Sequence, residues 1–175
     1  MTAIEITDVK GFMGKLLASD TFDEYLILEA VITKANTFTI DGRLSEEYLA
    51  EMNNEVLAAA GAENDDSRSG ETAGTMRLQT WGNVRNICYD LVKGKTLPIY
   101  MKVVLQSSAA ATADIISRSG AGLSPEDVAG LYINITYDRR ELRCVTGTSI
   151  RTFTLDKSLE HEWDGYVARV LKEYS

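Results

Sequence analysis

The stretch "LYINITYDRRELRCVTG", residues 131–147, limits the possible folds more than any other part of the chain. Apolar and polar residues alternate from Leu131 to Tyr137, "DRR" interrupts them, and the alternation resumes at Leu142. A period of two is that of a half-buried strand, and a link this short lets the second run only fold back beside the first, since a parallel return needs a dozen residues or more. A second pair of runs lies in "YLILEAVITKANTFTID", residues 25–41, around "KAN". Its first run is almost continuously apolar, as in a strand central to its sheet. Two hairpins in one chain predict an antiparallel sheet.

Helical periods fill the intervals. Val9, Phe12, Met13, Leu16 and Leu17 fall at spacings of three and four behind "AIEIT", with Thr7 or Asp8 as cap. Leu44 to about Ala60 reads as a helix with Ser45 or Asp41 where an N-cap belongs, and its Glu47, Glu51 and Glu55 share one face. "TWGNVRNICYDLVKGK" reads as a helix from a Thr80 cap that buries Val84, Ile87, Cys88 and Leu91 and stops near Gly94. Residues 108–118 read as a helix, "LSPEDVAG" as a helical turn from Ser124 to Gly130, and the chain from Lys157 as a helix with Leu159, Trp163, Tyr166, Val167 and Val170 in one stripe. "LPIYMKVVLQ" and "IRTFTLD" complete the strands. The expectation is one α+β domain over residues 1–175, with a mostly antiparallel sheet of roughly six or seven strands and about five helices. The acidic, Gly- and Ser-rich residues 61–74 are expected to form a flexible loop within it.

Charge bears on partners. Residues 1–75 hold 5 Lys/Arg against 15 Asp/Glu, and residues 76–175 hold 13 against 11, so the net −8 comes from the first part. A pI near 4.7 opposes phosphate at long range and argues against nucleic acid. The amino-terminal sequence has no apolar run of signal-peptide length and no stretch reaches membrane-spanning length, which predicts a cytoplasmic protein with no membrane partner. Cys88 and Cys144 lack CxxC spacing and sit among apolar neighbours, as reduced, buried thiols do.

The motif search yields little chemistry. "KGKT", residues 93–96, ends like a phosphate-binding loop, but Tyr89 stands where that motif needs glycine, and the order here is helix, loop, strand. His161, the only histidine, lies between Glu160 and Glu162 off the apolar stripe of its helix, the place of a solvated side chain. No nucleophile, base or metal cluster can be assembled, so no cofactor, metal or catalytic residue is assigned. Arg85, Arg143 and Arg151 are the candidates for binding an anion, should they converge.

Residues 37–48, "TFTIDGRLSEEY", match residues 152–163, "TFTLDKSLEHEW", at six of twelve positions. Among on the order of ten thousand window comparisons that is near what chance yields. A shared strand, cap and helix would explain each match, with Phe38 and Phe153 facing inward and Asp41 and Asp156 as helix caps. The wider order of elements then gives two β-α-β-β halves, an arrangement similar to the repeat of DNA sliding clamps at the level of fold alone.

The stretches "TFTIDGRL", "RNICYDLVKGKTLPIYMKVVLQ", "LSPEDVAGLYINITYD" and "CVTGTSIRTFTLDKSLEHEWD" resemble a family of uncharacterised bacterial proteins classed only as a domain of unknown function. That resemblance implies no activity. The function expected from the residues is that of a non-catalytic cytoplasmic binding or protein-interaction protein. The alternative is an enzyme or binding protein for an anionic small molecule that uses the three arginines, and a clamp-like role beside nucleic acid comes third.

Overall fold

The computed structural model describes residues 1–51 and 77–175. Among these residues six strands form one sheet in the order β1-β6-β5-β4-β2-β3, and every neighbouring pair is antiparallel. They are β1 (Ala3–Ile6), β2 (Leu26–Thr33), β3 (Thr37–Asp41), β4 (Tyr100–Gln106), β5 (Val128–Tyr137) and β6 (Leu142–Ile150). The helices are α1 (Val9–Ala18), α2 (46–51), α3 (Trp81–Val92), α4 (Ala109–Ser119) and α5 (Ser158–Leu171), with a short 3-10 turn at Pro125–Asp127. The remainder of the helix expected to Ala60, including Glu55, and the 61–74 loop lie outside the described residues.

Both expected hairpins form. Their register puts Ile32, Met101, Tyr137 and Leu142 on one face of the sheet, in one core with Phe12, Leu16, Trp81, Ile115 and Trp163 of the helices. Trp81 and Trp163 are fully buried with their indole N–H groups satisfied, by Leu16 O at 2.8 Å and Tyr132 O at 3.1 Å. The opposite face carries Glu29, Val31, Lys102, Val104, Tyr132, Asn134, Thr136 and Arg143, which is the in/out alternation of a sheet packed on one side.

Local chemistry sets the element ends. Asp8 caps α1 by accepting the Gly11 N–H at 2.9 Å, and Ser108 caps α4 by accepting that of Ala111 at 3.3 Å. Gly120 closes α4 in the left-handed region, φ 65°. Ser124 and Asp127 form the capping box of the 3-10 turn, but β5 already starts at Val128, so Gly130 lies within the strand beside a bulge rather than stopping a helix. At the β5–β6 turn, the Asp138 carboxylate accepts the amides of Arg140 and Glu141, each at 3.1 Å.

Several expectations are corrected. Ile87 is 55% exposed, since it sits at the margin of the stripe made by Val84, Cys88 and Leu91. "IRTFTLD" is no strand: β6 ends at Ile150, and Phe153 is 92% exposed instead of facing inward. Phe38 does lie in a strand but at the sheet edge, where it stays 41% exposed. The two similar stretches are therefore not equivalent in structure. The order strand, helix, hairpin does occur twice, yet β4 lies beside its own hairpin while β1 lies at the far edge beside β6.

Candidate functional site

Concave surface gathers at the end of the sheet where β2 and β5 begin and β3, β4 and β6 finish. Residues 77–80 enter there as a short extended wedge between β2 and the continuation of β3. Ile27 N–H donates to Gln79 O at 2.9 Å, Gln79 N–H to Gly42 O at 2.8 Å, and Leu44 N–H to Arg77 O at 2.9 Å. Gly42, whose N–H donates to Leu28 O at 2.9 Å, lies so close to β2 that a Cβ there would sit 1.7 Å from the Ile27 carbonyl oxygen, which only glycine permits.

Leu78 on this wedge stands in the walls of two hollows. One, of about 290 Å³, is lined by Leu28, Glu29, Thr39, Asp41, Arg43 and Leu78. The other, of about 300 Å³, lies toward the start of α4, and its walls include Leu26, Leu78, Gln106, Val128 and Arg151. In the first, Asp41 accepts the Arg43 amide at 3.0 Å and the Arg43 guanidinium as a fork. Those bonds hold the Asp41 carboxyl down at about 2. Beside it Lys102 Nζ meets Glu29 Oε2 at 2.6 Å, which raises the lysine above its ordinary value. Across the sheet Arg143 holds Glu141 at 2.6 Å. Three basic side chains here, Arg43, Lys102 and Arg143, are thus each matched by a carboxylate.

The three arginines singled out in the sequence do not converge. Arg85 grips Asp23 in the link before β2, with Nε–Oδ1 at 2.6 Å and Nη2–Oδ2 at 3.2 Å, and so ties α3 to that link. Arg143 and Arg151 lie at opposite ends of β6, roughly 27 Å apart at about 3.4 Å per residue. Of the three, Arg151 borders one of these two hollows, and its guanidinium donates to Glu126 O at 2.7 Å. Asp41 ends β3 and does not cap α2; Ser45 takes that place, its Oγ accepting the Tyr48 N–H at 3.2 Å. Asp156 stands two residues before α5, and its Oδ1 accepts the Ser158 amide at 2.8 Å, so it serves the helix start from one position further out than an N-cap.

Chemistry among the described residues is sparse. Burial pushes the Cys88 thiol up to about 11 and that of Cys144 to about 12, which keeps both protonated and poor as nucleophiles. His161 is exposed on α5. Burial, then the neighbouring Tyr166, raises Tyr25 far above a phenol's usual range, so its hydroxyl serves as a hydrogen-bonding group. Among the described residues no three His, Cys, Asp or Glu side chains gather as metal ligands, and no helix is long and apolar enough to cross a membrane.

What the strand reading of "IRTFTLD" hid is a presented apolar segment. Arg151 N–H still donates to Asp127 O at 2.7 Å, after which the chain leaves the sheet. Thr154 Oγ1 then accepts the Asp156 amide at 3.0 Å, and Asp156 turns the chain into α5. These two side-chain turns hold Phe153 and Leu155 outward, 92% and 85% exposed. The signal available in the sequence was "TLDKS", a run of Thr, Asp and Ser that favours local side-chain bonds over a ladder.

The model of a family of unknown function, DUF5721, matches residues 15–175. No curated protein and no solved structure matches the chain. The chain belongs to that DUF5721 family.

Proposed function

We propose that this family member is a non-catalytic cytoplasmic protein that binds a protein partner, with Phe153 and Leu155 as anchors. The exposure of those two side chains carries the reading. An aromatic and an aliphatic residue held in water by an ordered turn each stand to gain about 1.5–3 kcal/mol on full burial, and interface hot spots are built from such anchors. The hollow lined by Leu26, Leu78 and Val128, whose wall includes Arg151 two residues before Phe153, offers apolar surface of the kind a partner's side chain would fill. The open sheet face supports a protein partner over nucleic acid, because Arg43, Lys102 and Arg143 are each matched by a carboxylate and so offer less field for phosphate.

The test is a photo-reactive amino acid placed at Leu155 in cells. A discrete protein adduct is expected, and Phe153→Asp should remove it without lowering the melting temperature. Absence of any adduct would refute the reading. So would turnover of phosphate esters, carboxylic esters or nucleotides that disappears on substituting Arg85, Arg143 or Arg151.

One observation favours a second reading, binding of an anionic small molecule: Arg151 forms part of the wall of the 300 Å³ hollow. Under that reading phosphate or a nucleotide raises the melting temperature of the wild type and leaves Arg151→Gln unmoved.

A further inference from the structure

We propose that the outer edge of β3 pairs antiparallel with β3 of a second copy of this chain, about a two-fold axis at Thr39, so that two six-stranded sheets become one. β3 ends the sheet, and among the described residues no strand lies along its outer side. Its ladder with β2 tells which peptide groups face out. Gly42 N–H donates to Leu28 O at 2.9 Å, so Gly42 points at β2, and alternation turns Ile40 and Phe38 the same way. The N–H and C=O groups of Thr37, Thr39 and Asp41 therefore face away from β2. Such an edge is a template for another strand, and "TFTID" has none of the lysines or prolines that blunt one.

The strand is its own complement. Residues directly opposite in an antiparallel pair share a face, so only registers that set odd numbers against odd keep Phe38 and Ile40 of both copies on the helix-bearing side. Of those registers, Thr39 opposite Thr39 is the one that uses the whole strand. Phe38 then lies opposite Ile40 of the second copy, and Ile40 opposite its Phe38, which covers the exposed ring. Thr37 lies opposite Asp41, where a hydroxyl can donate to a carboxylate and no like charges meet. The same register aligns the outward peptide groups of Thr37, Thr39 and Asp41 with one another. A two-fold axis returns each of these pairings, which is why a second copy is the occupant favoured here.

Sedimentation at high micromolar concentration should give twice the chain mass of 19.3 kDa. Thr39→Pro removes an outward N–H that the ladder with β2 does not use, a position where edge strands accept proline. That variant should sediment at half the wild-type mass with an unchanged circular dichroism spectrum. Should it fail to fold, cysteine pairing decides. Thr39→Cys faces itself across about 5.5 Å between Cα atoms, within disulfide reach, and should oxidise to a covalent dimer. Thr37→Cys alone should not, whereas mixed with Asp41→Cys it should. Cys88 and Cys144 are buried and do not compete. A wild-type monomer, a dimer untouched by a folded Thr39→Pro, or Thr37→Cys cross-linking as readily as Thr39→Cys would each overturn the pairing.

Discussion

Glycine positions show how one atom can decide an effect's sign. A methyl at Gly42 would meet the Ile27 carbonyl oxygen at 1.7 Å and its carbon at 2.6 Å, and neither is the end of a flexible side chain, so β2 and the continuation of β3 would have to part. Gly42→Ala should cost about 1–3 kcal/mol, read as a lower denaturant midpoint with an unchanged slope. Gly14 lies in α1 with nothing within 4 Å of its would-be Cβ. Gly14→Ala should stabilise the fold by about 0.5–1 kcal/mol, read as a higher midpoint, because it removes freedom from the unfolded chain and improves helix propensity. Asp164 gives a pH-dependent counterpart. Burial pushes its carboxyl up, but bonds from Thr146, the amino-terminal ammonium and Thr2 outweigh it and leave the group below its ordinary value of 3.8. A depressed folded value means stability that is present above the unfolded value and lost as pH falls through the folded one. The melting-temperature gap between wild type and Asp164→Asn should therefore be widest near neutrality and close below pH 3.8.

At the scale of elements, ends that depend on one side chain are the simplest to test. α4 starts at Ser108, whose Oγ accepts the Ala111 amide, so Ser108→Ala should lower stability by about 1 kcal/mol in chemical unfolding. Capping positions were legible in the sequence at Thr7 or Asp8, of which Asp8 serves, and at Ser124, and so were both hairpins, because turn residues and alternation are short-range signals. Two near-identical pentapeptides show where legibility ends. "TFTID" and "TFTLD" have the same local preferences, yet the first is paired along its length by β2 and the second is left without a ladder after β6 ends. Ladder partners belong to the fold and not to the segment, so propensity alone could not separate them. The candidate site was hidden for the same reason. Arg143 and Arg151 are eight residues apart in the chain, and only a strand between them sends them to opposite ends of the sheet.

For the molecule as a whole, the proposed interaction and the stability of the fold draw on different residues, which makes them separable. The core joins strands and helices through Phe12, Trp81, Met101, Ile133 and Trp163, all nearly inaccessible to water. Phe153 and Leu155 contribute almost nothing to it, since a side chain already in water has little burial to lose. Replacing both with serine should shift the unfolding free energy by no more than about 0.5 kcal/mol, as surface changes do. Phe12→Ala, which empties a site at the centre of the core, should cost about 3–5 kcal/mol. Chemical denaturation measures both, and retention on a hydrophobic column reports the surface. The double serine variant should elute earlier than wild type at equal stability. Were it instead to unfold several kcal/mol sooner, Phe153 and Leu155 would be packing groups, and the outward presentation on which the partner-binding reading rests would be wrong.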